Sequence, residues 1–230
     1  MIRRALEVIA IVAMILASGV AMWAILDQSR GGDTEPQGGP IESVALKSMP
    51  LNGVPQKGAA TARYAMVIFS DFECPFCRSF AQDTLPAFEA KYVASGEVRL
   101  AFRQFPLPSH KHAAGAARTA VCAGRQGKFW EVHDQLFDGS LEAAIGSAVL
   151  NVGLDRSVFD NCQKNEAAAA VAADFKIARE FAVGSTPSFL LGTVQPDGQI
   201  LVSKRIAGNA PLSTFDEVIA GLVGGGDARK

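Results

Sequence analysis

The chain has no basic block, no internal repeat and little aromatic character beyond phenylalanine. Its 22 Lys and Arg face 23 Asp and Glu for a net charge of −1, so it lacks the electrostatic grip that nucleic acid requires. With 2 Tyr and 2 Trp against 14 Phe it has few rings suited to base stacking, and nucleic acid is excluded as a partner. Histidine is scarce as well: His110, His112 and His133 are the whole supply, and there is no second C-x-x-C to complete a zinc or copper site. Cysteine numbers only 4, yet two form the run Cys74-Pro75-Phe76-Cys77, while Cys122 and Cys162 stand far from it and from each other. At 49% hydrophobic and 20% charged, the composition is that of a folded protein.

Charge is also missing from Val8 to Leu26 (VIAIVAMILASGVAMWAIL), 19 residues preceded by Arg3 and Arg4. A helix of that length rises about 28 Å, close to the ~30 Å hydrocarbon thickness of a bilayer. The positive-inside rule then leaves residues 1–7 in the cytoplasm and carries everything after Leu26 across, with Trp23 as an interfacial anchor. The alternative is a cleaved signal peptide with Ala17-Ser18-Gly19 as its small-residue site, against which apolar sequence continues beyond Gly19. Both readings put the main domain where disulfides persist. Residues 27–57, rich in Gly, Pro, Gln and Ser, read as a flexible linker with room for a short strand at Ile41 to Leu46. The domain proper is then 58–223, roughly 165 residues and enough for one core, followed by a Gly-rich tail at 224–230.

Within that domain, Tyr64 to Ser70 is a short, nearly all-apolar run that suits a strand buried on both faces. Cys74-Pro75-Phe76-Cys77 opens a helical stretch with Phe76, Phe80, Phe88 and Tyr92 in register, which Pro86 should kink. Val98, Leu100 and Phe102 alternate with Arg99, Ala101 and Arg103 in a second strand. From about residue 110 to 183 the pattern is helical, with pieces around Cys122, over Lys128 to Phe137, near Leu141 to Leu150 and over Glu166 to Phe181. Ser188 to Val194 and Ile200 to Ile206 flank Pro196-Asp197-Gly198 as a hairpin, and a last helix covers Leu212 to Val223.

Thiol-disulfide exchange needs an attacking thiolate and a second thiol near enough to resolve the mixed disulfide. With a helix starting at Pro75, Cys74 lies at its mouth, where unpaired N–H groups and the positive dipole end favour a thiolate. Pro75 suits the first helical position, having no N–H to leave unpaired. Cys77 lies one turn inside and less exposed, so Cys74 is the expected nucleophile and Cys77 the resolving thiol. A structural bridge across two residues would close too small a loop to stabilise much, and a metal site would need ligands beyond the pair. Cys122 and Cys162 both fall in the helical block. A bridge between them closes a loop of about 40 residues, on the order of 4 kcal/mol in the chain-entropy model, so a structural disulfide is expected; a second redox pair relaying electrons to Cys74 is the alternative.

The order β-α-β, helical block, β-β-α, together with DFECPFC at 71–77, FPLPSHKHA at 105–113, CAGRQGKFWEVHDQLF at 122–137 and STP at 185–187, resembles the DsbA-like thiol-disulfide oxidoreductases. The resemblance covers about Gly58 to Val223. It implies an α/β thioredoxin-like fold with a mixed central sheet and a helical insertion, here preceded by one transmembrane helix. It also implies that Pro187 of the Thr186-Pro187 pair is cis and packs on the cysteines, leaving the Thr186 backbone for an extended substrate segment. Phe76, between the cysteines, joins Pro75, Thr186 and Pro187 as support for the site. The family works without a cofactor or metal, on exported protein substrates, and is recycled by a membrane or envelope redox partner. That places the chain at a bacterial inner membrane with its catalytic domain on the periplasmic or extracytoplasmic side. Donation of the Cys74–Cys77 disulfide is the expected activity; the alternatives are a reductase or isomerase kept reduced by a membrane partner, or a metal- or copper-handling module using Cys74 and Cys77.

Two positions depart from the family pattern. The buried acid six residues before the nucleophile is replaced by Ile68, so the proton acceptor for Cys77 must lie elsewhere; Asp71 and Glu73 are candidates but read as solvated turn residues that would oppose a low Cys74 pKa. Phe76 stands where the strongest oxidants carry His, and it cannot donate a hydrogen bond to the thiolate. A less oxidising pair follows, and a measured potential as high as about −120 mV would refute it. His110 and His112 read as exposed residues at a helix start, His133 as part of an amphipathic helix, and Phe129, Trp130, Leu136 and Phe137 as core.

Overall fold

A computed structural model of the chain describes residues 39–226. The described residues all belong to one compact unit. The expected membrane helix at 8–26, residues 27–38 of the expected linker and the last residues of the tail lie outside the described residues. Among the described residues no helix is long and apolar enough to cross a membrane.

Six strands form one sheet: β1 (Ile41–Pro50), β2 (Gln56–Lys57), β3 (Tyr64–Ser70), β4 (Val98–Gln104), β5 (Ser188–Val194) and β6 (Gln199–Ala207), in the order β1-β6-β5-β3-β4-β2. β3 and β4 are parallel and every other pairing is antiparallel, so the sheet is mixed. All residues of β3 are buried, as its unbroken apolar run requires of a strand covered on both faces. Alternate side chains divide the core: Tyr64, Met66 and Ile68 join Leu100, Phe102 and the Phe cluster on one face, while Ala65, Val67 and Phe69 join Ala101 and Leu190 on the other.

α1 connects β3 to β4 in four successive segments, Pro75–Ser79, Phe80–Thr84, Leu85–Phe88 and Glu89–Val93, of which the second and fourth are π-helical. The helix therefore meets Pro86, which lacks an N–H, by widening its turns on either side rather than by ending. The helical block consists of α2 (Ala113–Gly124), α3 (Phe129–Phe137), α4 (Leu141–Asn151), α5 (Arg156–Asn165) and α6 (Ala167–Glu180), and α7 (Leu212–Gly226) follows β6. A disulfide between Cys122 and Cys162, with Cα atoms 5.6 Å apart, ties α2 to α5 in the interior. Asp155 caps α5 through the N–H groups of Ser157 and Val158. In the β5–β6 hairpin, a Cβ on Gly192 would sit 2.0 Å from the Leu201 carbonyl oxygen, so only glycine fits at that irregularity of the ladder.

Three boundaries differ from the sequence expectation. Ile41–Pro50 and Gln56–Lys57 are strands of the sheet where a linker is expected, and β1 runs to Pro50 instead of stopping near Leu46. The reason is that β1 pairs only with β6, so most of its side chains are exposed and its composition looks like a tether, although Met49 and Leu51 are fully buried. The block 110–183 carries a separate helix, α5, whose polar face hid it. The last helix continues through Gly226, so the first residues of the expected tail are helical.

Candidate active site

The C-terminal end of β3 builds the site. Ser70 closes the strand, its carbonyl accepting from Phe105 N at 2.8 Å, and Asp71 to Cys74 form a turn closed by Cys74 N to the Asp71 carbonyl at 3.1 Å. Cys74 is the N-cap of α1 and Pro75 its first residue, which places the Cys74 sulfur at the unpaired N–H groups of the helix start. Cys74 and Cys77 are both free thiols. Cys74 is 4% exposed and Cys77 1%, so the expected contrast in exposure is slight. The segment before β5 accounts for this, since Thr186 is itself buried and its carbonyl lies 3.5 Å from Cys74 Sγ. Beside them Phe76 is 62% exposed. The Thr186–Pro187 bond is cis, and Pro187 is buried.

The two sulfurs divide their roles by environment. A hydrogen bond from Cys77 is the largest influence on Cys74 and outweighs the cost of burial; Thr186 and the N–H groups of Cys77 and Phe76 add to it. Together they lower the Cys74 thiol from the ordinary 9.0 to about 5. Thr186 Oγ1 is buried and no hydrogen bond satisfies it among the described residues. Cys77 is pushed upward, first by burial and then by the hydrogen bond and charge of Cys74, against the opposing influence of the Ser70 hydroxyl and the Asp71 N–H. At neutral pH the arrangement is a thiolate at Cys74 beside a thiol at Cys77.

Asp71 and Glu73 are not solvated turn residues. The Asp71 side chain is wholly buried and accepts from Glu73 N at 2.8 Å, Leu107 N at 2.7 Å and His110 Nδ1 at 2.7 Å. Glu73 accepts from His112 N at 2.5 Å and Ala113 N at 2.9 Å, at the start of α2. Both carboxylates are thus answered locally, which relieves the repulsion expected of them toward Cys74. The Asp71 hydrogen bond raises His110 above the ordinary imidazole range, against some loss from burial, and the charges of Asp71, Cys74 and Glu73 act in the same direction. Ile68 is buried with Phe102 and Phe189 as its strand neighbours, in the apolar core. His133 is 2% exposed, ringed by Phe72, Phe102, Phe129, Trp130 and Phe137. Sequence reasoning missed Ser70 and the engagement of Asp71, Glu73 and His110. The D-x-E spacing before Cys74 and the H-x-H ahead of α2 were the available signal. A cavity of about 680 Å³ lies elsewhere, lined by Gln104, Trp130 and Asp174 among others and by neither cysteine of the pair.

Residues 53–203 match the family model described as Thioredoxin. The chain belongs to the thioredoxin family. Within it the likeness is to the DsbA-like members. DsbA2 of Pseudomonas aeruginosa, a solved structure, is 27% identical and superimposes with a TM-score of 0.60 over 76% of this chain and 97% of its own. A probable disulfide bond formation protein D of Bacillus anthracis is 33% identical over 81 residues, 35% of this chain and 37% of that protein. A protein of Salinispora arenicola named Na(+)/H(+) antiporter NhaA 1 is 33% identical over 141 residues, 59% of this chain but 21% of that protein. The match therefore spans about a fifth of the antiporter-named relative.

Proposed function

We propose that this chain is an envelope thiol-disulfide oxidoreductase, held at a bacterial inner membrane by residues 8–26, that donates its Cys74–Cys77 disulfide to exported proteins. The observation that carries the reading is the pairing of a stabilised Cys74 thiolate with a Cys77 held protonated. In the oxidised protein a substrate thiolate attacks Cys74 Sγ and the Cys74–Cys77 bond breaks. Cys77 leaves and takes a proton, as its raised pKa favours. A second substrate thiolate then attacks the substrate sulfur of the mixed disulfide and releases Cys74 as a thiolate, the better leaving group of the two. Two substrate thiols are oxidised, the pair gains two electrons, one proton stays on Cys77 and one is released. No cofactor takes part. A membrane or envelope partner restores the disulfide.

Stabilising the Cys74 thiolate stabilises the reduced pair, which favours disulfide donation over reduction. The reductase or isomerase alternative requires a partner that keeps the pair reduced. For a metal-handling module, no three His, Cys, Asp or Glu side chains converge on a possible ion site among the described residues, so Cys74 and Cys77 would have to serve alone. The test is a Cys77→Ser variant expressed in the native envelope. It should accumulate mixed disulfides with exported proteins that vanish when Cys74 is also replaced; absence of Cys74-dependent adducts would contradict the reading.

A further inference from the structure

The loop from Leu107 to Ala113 is stitched to the turn that delivers Cys74 by two carboxylates, and one of them is wholly out of water. A buried carboxylate is costly unless its charge and lone pairs are met. Asp71 meets this demand with two backbone N–H groups and His110, its only ion-pair partner among the described residues. Glu73 is committed to the first N–H groups of α2. Asp71 is in contact with His110, the charges of Cys74 and Glu73 also act on it, and Lys111 and His112 follow it on its own loop. Cys74 N–H closes the turn on the Asp71 carbonyl, so the Cα atoms of Asp71 and Cys74 lie within about 7 Å.

We propose that His110 is a positioning residue for the exchange reaction: anchored by the buried Asp71, its imidazolium sets a positive charge on the turn that delivers Cys74 and supplies the stabilisation that Phe76 cannot. This rests on the oxidoreductase reading above and adds a residue to it. On reduction the disulfide takes two electrons from a substrate dithiol, whose two protons are available. Cys77 takes one; the other is released, except in the pH window where the oxidised protein holds His110 neutral, in which His110 takes it and the new Cys74 anion is matched by a new cation. Coupling of this kind is reciprocal: the thiolate must raise the proton affinity of His110 by as much as the imidazolium lowers that of Cys74.

The test is to titrate the His110 imidazole by NMR in the oxidised and reduced protein, and the Cys74 thiolate by its absorbance near 240 nm in wild type and in His110→Asn. The variant keeps a neutral N–H donor toward Asp71. The expected result is a His110 midpoint about half a pH unit or more higher in the reduced protein, and a Cys74 midpoint raised equally in the variant, a roughly threefold change in each equilibrium. Equal His110 midpoints in both redox states, or an unchanged Cys74 midpoint in a folded variant, would reduce His110 to a structural tie and overturn the proposal. If the variant does not fold, the wild-type NMR comparison decides alone. Wild-type protein that shows the coupling but oxidises no dithiol peptide would count against the oxidoreductase reading, and with it a role of His110 in exchange, while the electrostatic coupling itself would be established.

Discussion

Cys74 is made reactive by groups that reach it from three directions: Cys77 from within α1, Thr186 from the segment before β5, and the N–H groups of Phe76 and Cys77 at the helix start. Their ranking is testable. Cys77→Ala should raise the thiolate midpoint of Cys74 more than Thr186→Val does, with the latter moving it upward by about half to one pH unit. Equal midpoints in both variants and wild type, read by thiolate absorbance, would show that the helix mouth alone sets the value. Phe76 is the second handle at this scale. Phe76→His brings a donor to the sulfur and should make the pair more oxidising, with every 30 mV or so corresponding to a tenfold change in the exchange equilibrium. An unchanged potential against glutathione would mean that position 76 serves the exposed surface alone. The lowered Cys74 also makes the reduced protein pH-sensitive. Its folded pKa of about 5 lies below the ordinary 9.0, so the thiolate contributes stability in full near and above pH 9 and loses it as pH falls through about 5. The disulfide form has no thiolate to protonate. Reduced protein should therefore lose stability relative to oxidised protein on acidification through that range, in paired urea titrations.

Among the elements, α1 delivers the cysteines, and the helical block is stapled from α2 to α5 by a disulfide. Many of the helical positions in α2 and α6 are alanine, which contributes little apolar area per residue. The Cys122–Cys162 bridge closes a long loop across α2 and α5, and both sulfurs are buried. Replacing both cysteines by Ala should cost about 2–4 kcal/mol in stability. Dithiol oxidation by Cys74–Cys77 should survive below the melting transition; loss of exchange in a folded double variant would instead favour the relay role.

Across the whole molecule, the parts legible in the sequence were those with an uninterrupted local signal. β3 and β5 follow from apolar runs bounded by turn residues, the hairpin from Pro196-Asp197-Gly198, and the two free thiols at a helix mouth from C-P-x-C at a strand-to-helix turn. β1 was misread because an edge strand paired on one side carries a polar, tether-like pattern. The Asp71–His110 contact was hidden because nothing local joins residues 39 apart in sequence; it exists only once β3 and β4 lie side by side and bring the loops after them together. The same principle hid the role of Thr186, which depends on the return of the chain through β5. The protonation pattern of the site has a global signature. Reduction takes up one proton per two electrons while Cys74 stays ionised, so the potential should fall by about 30 mV per pH unit above pH 5, apart from the window in which His110 titrates, and about twice as steeply below it.

Direction of electron flow is the central claim, and it is read most directly by acid-trapping and alkylating the chain in its native envelope. The account predicts Cys74 and Cys77 mostly joined as a disulfide and protected from the alkylating reagent. A pair found mostly reduced and alkylated would contradict it and establish a reductant or isomerase in its place.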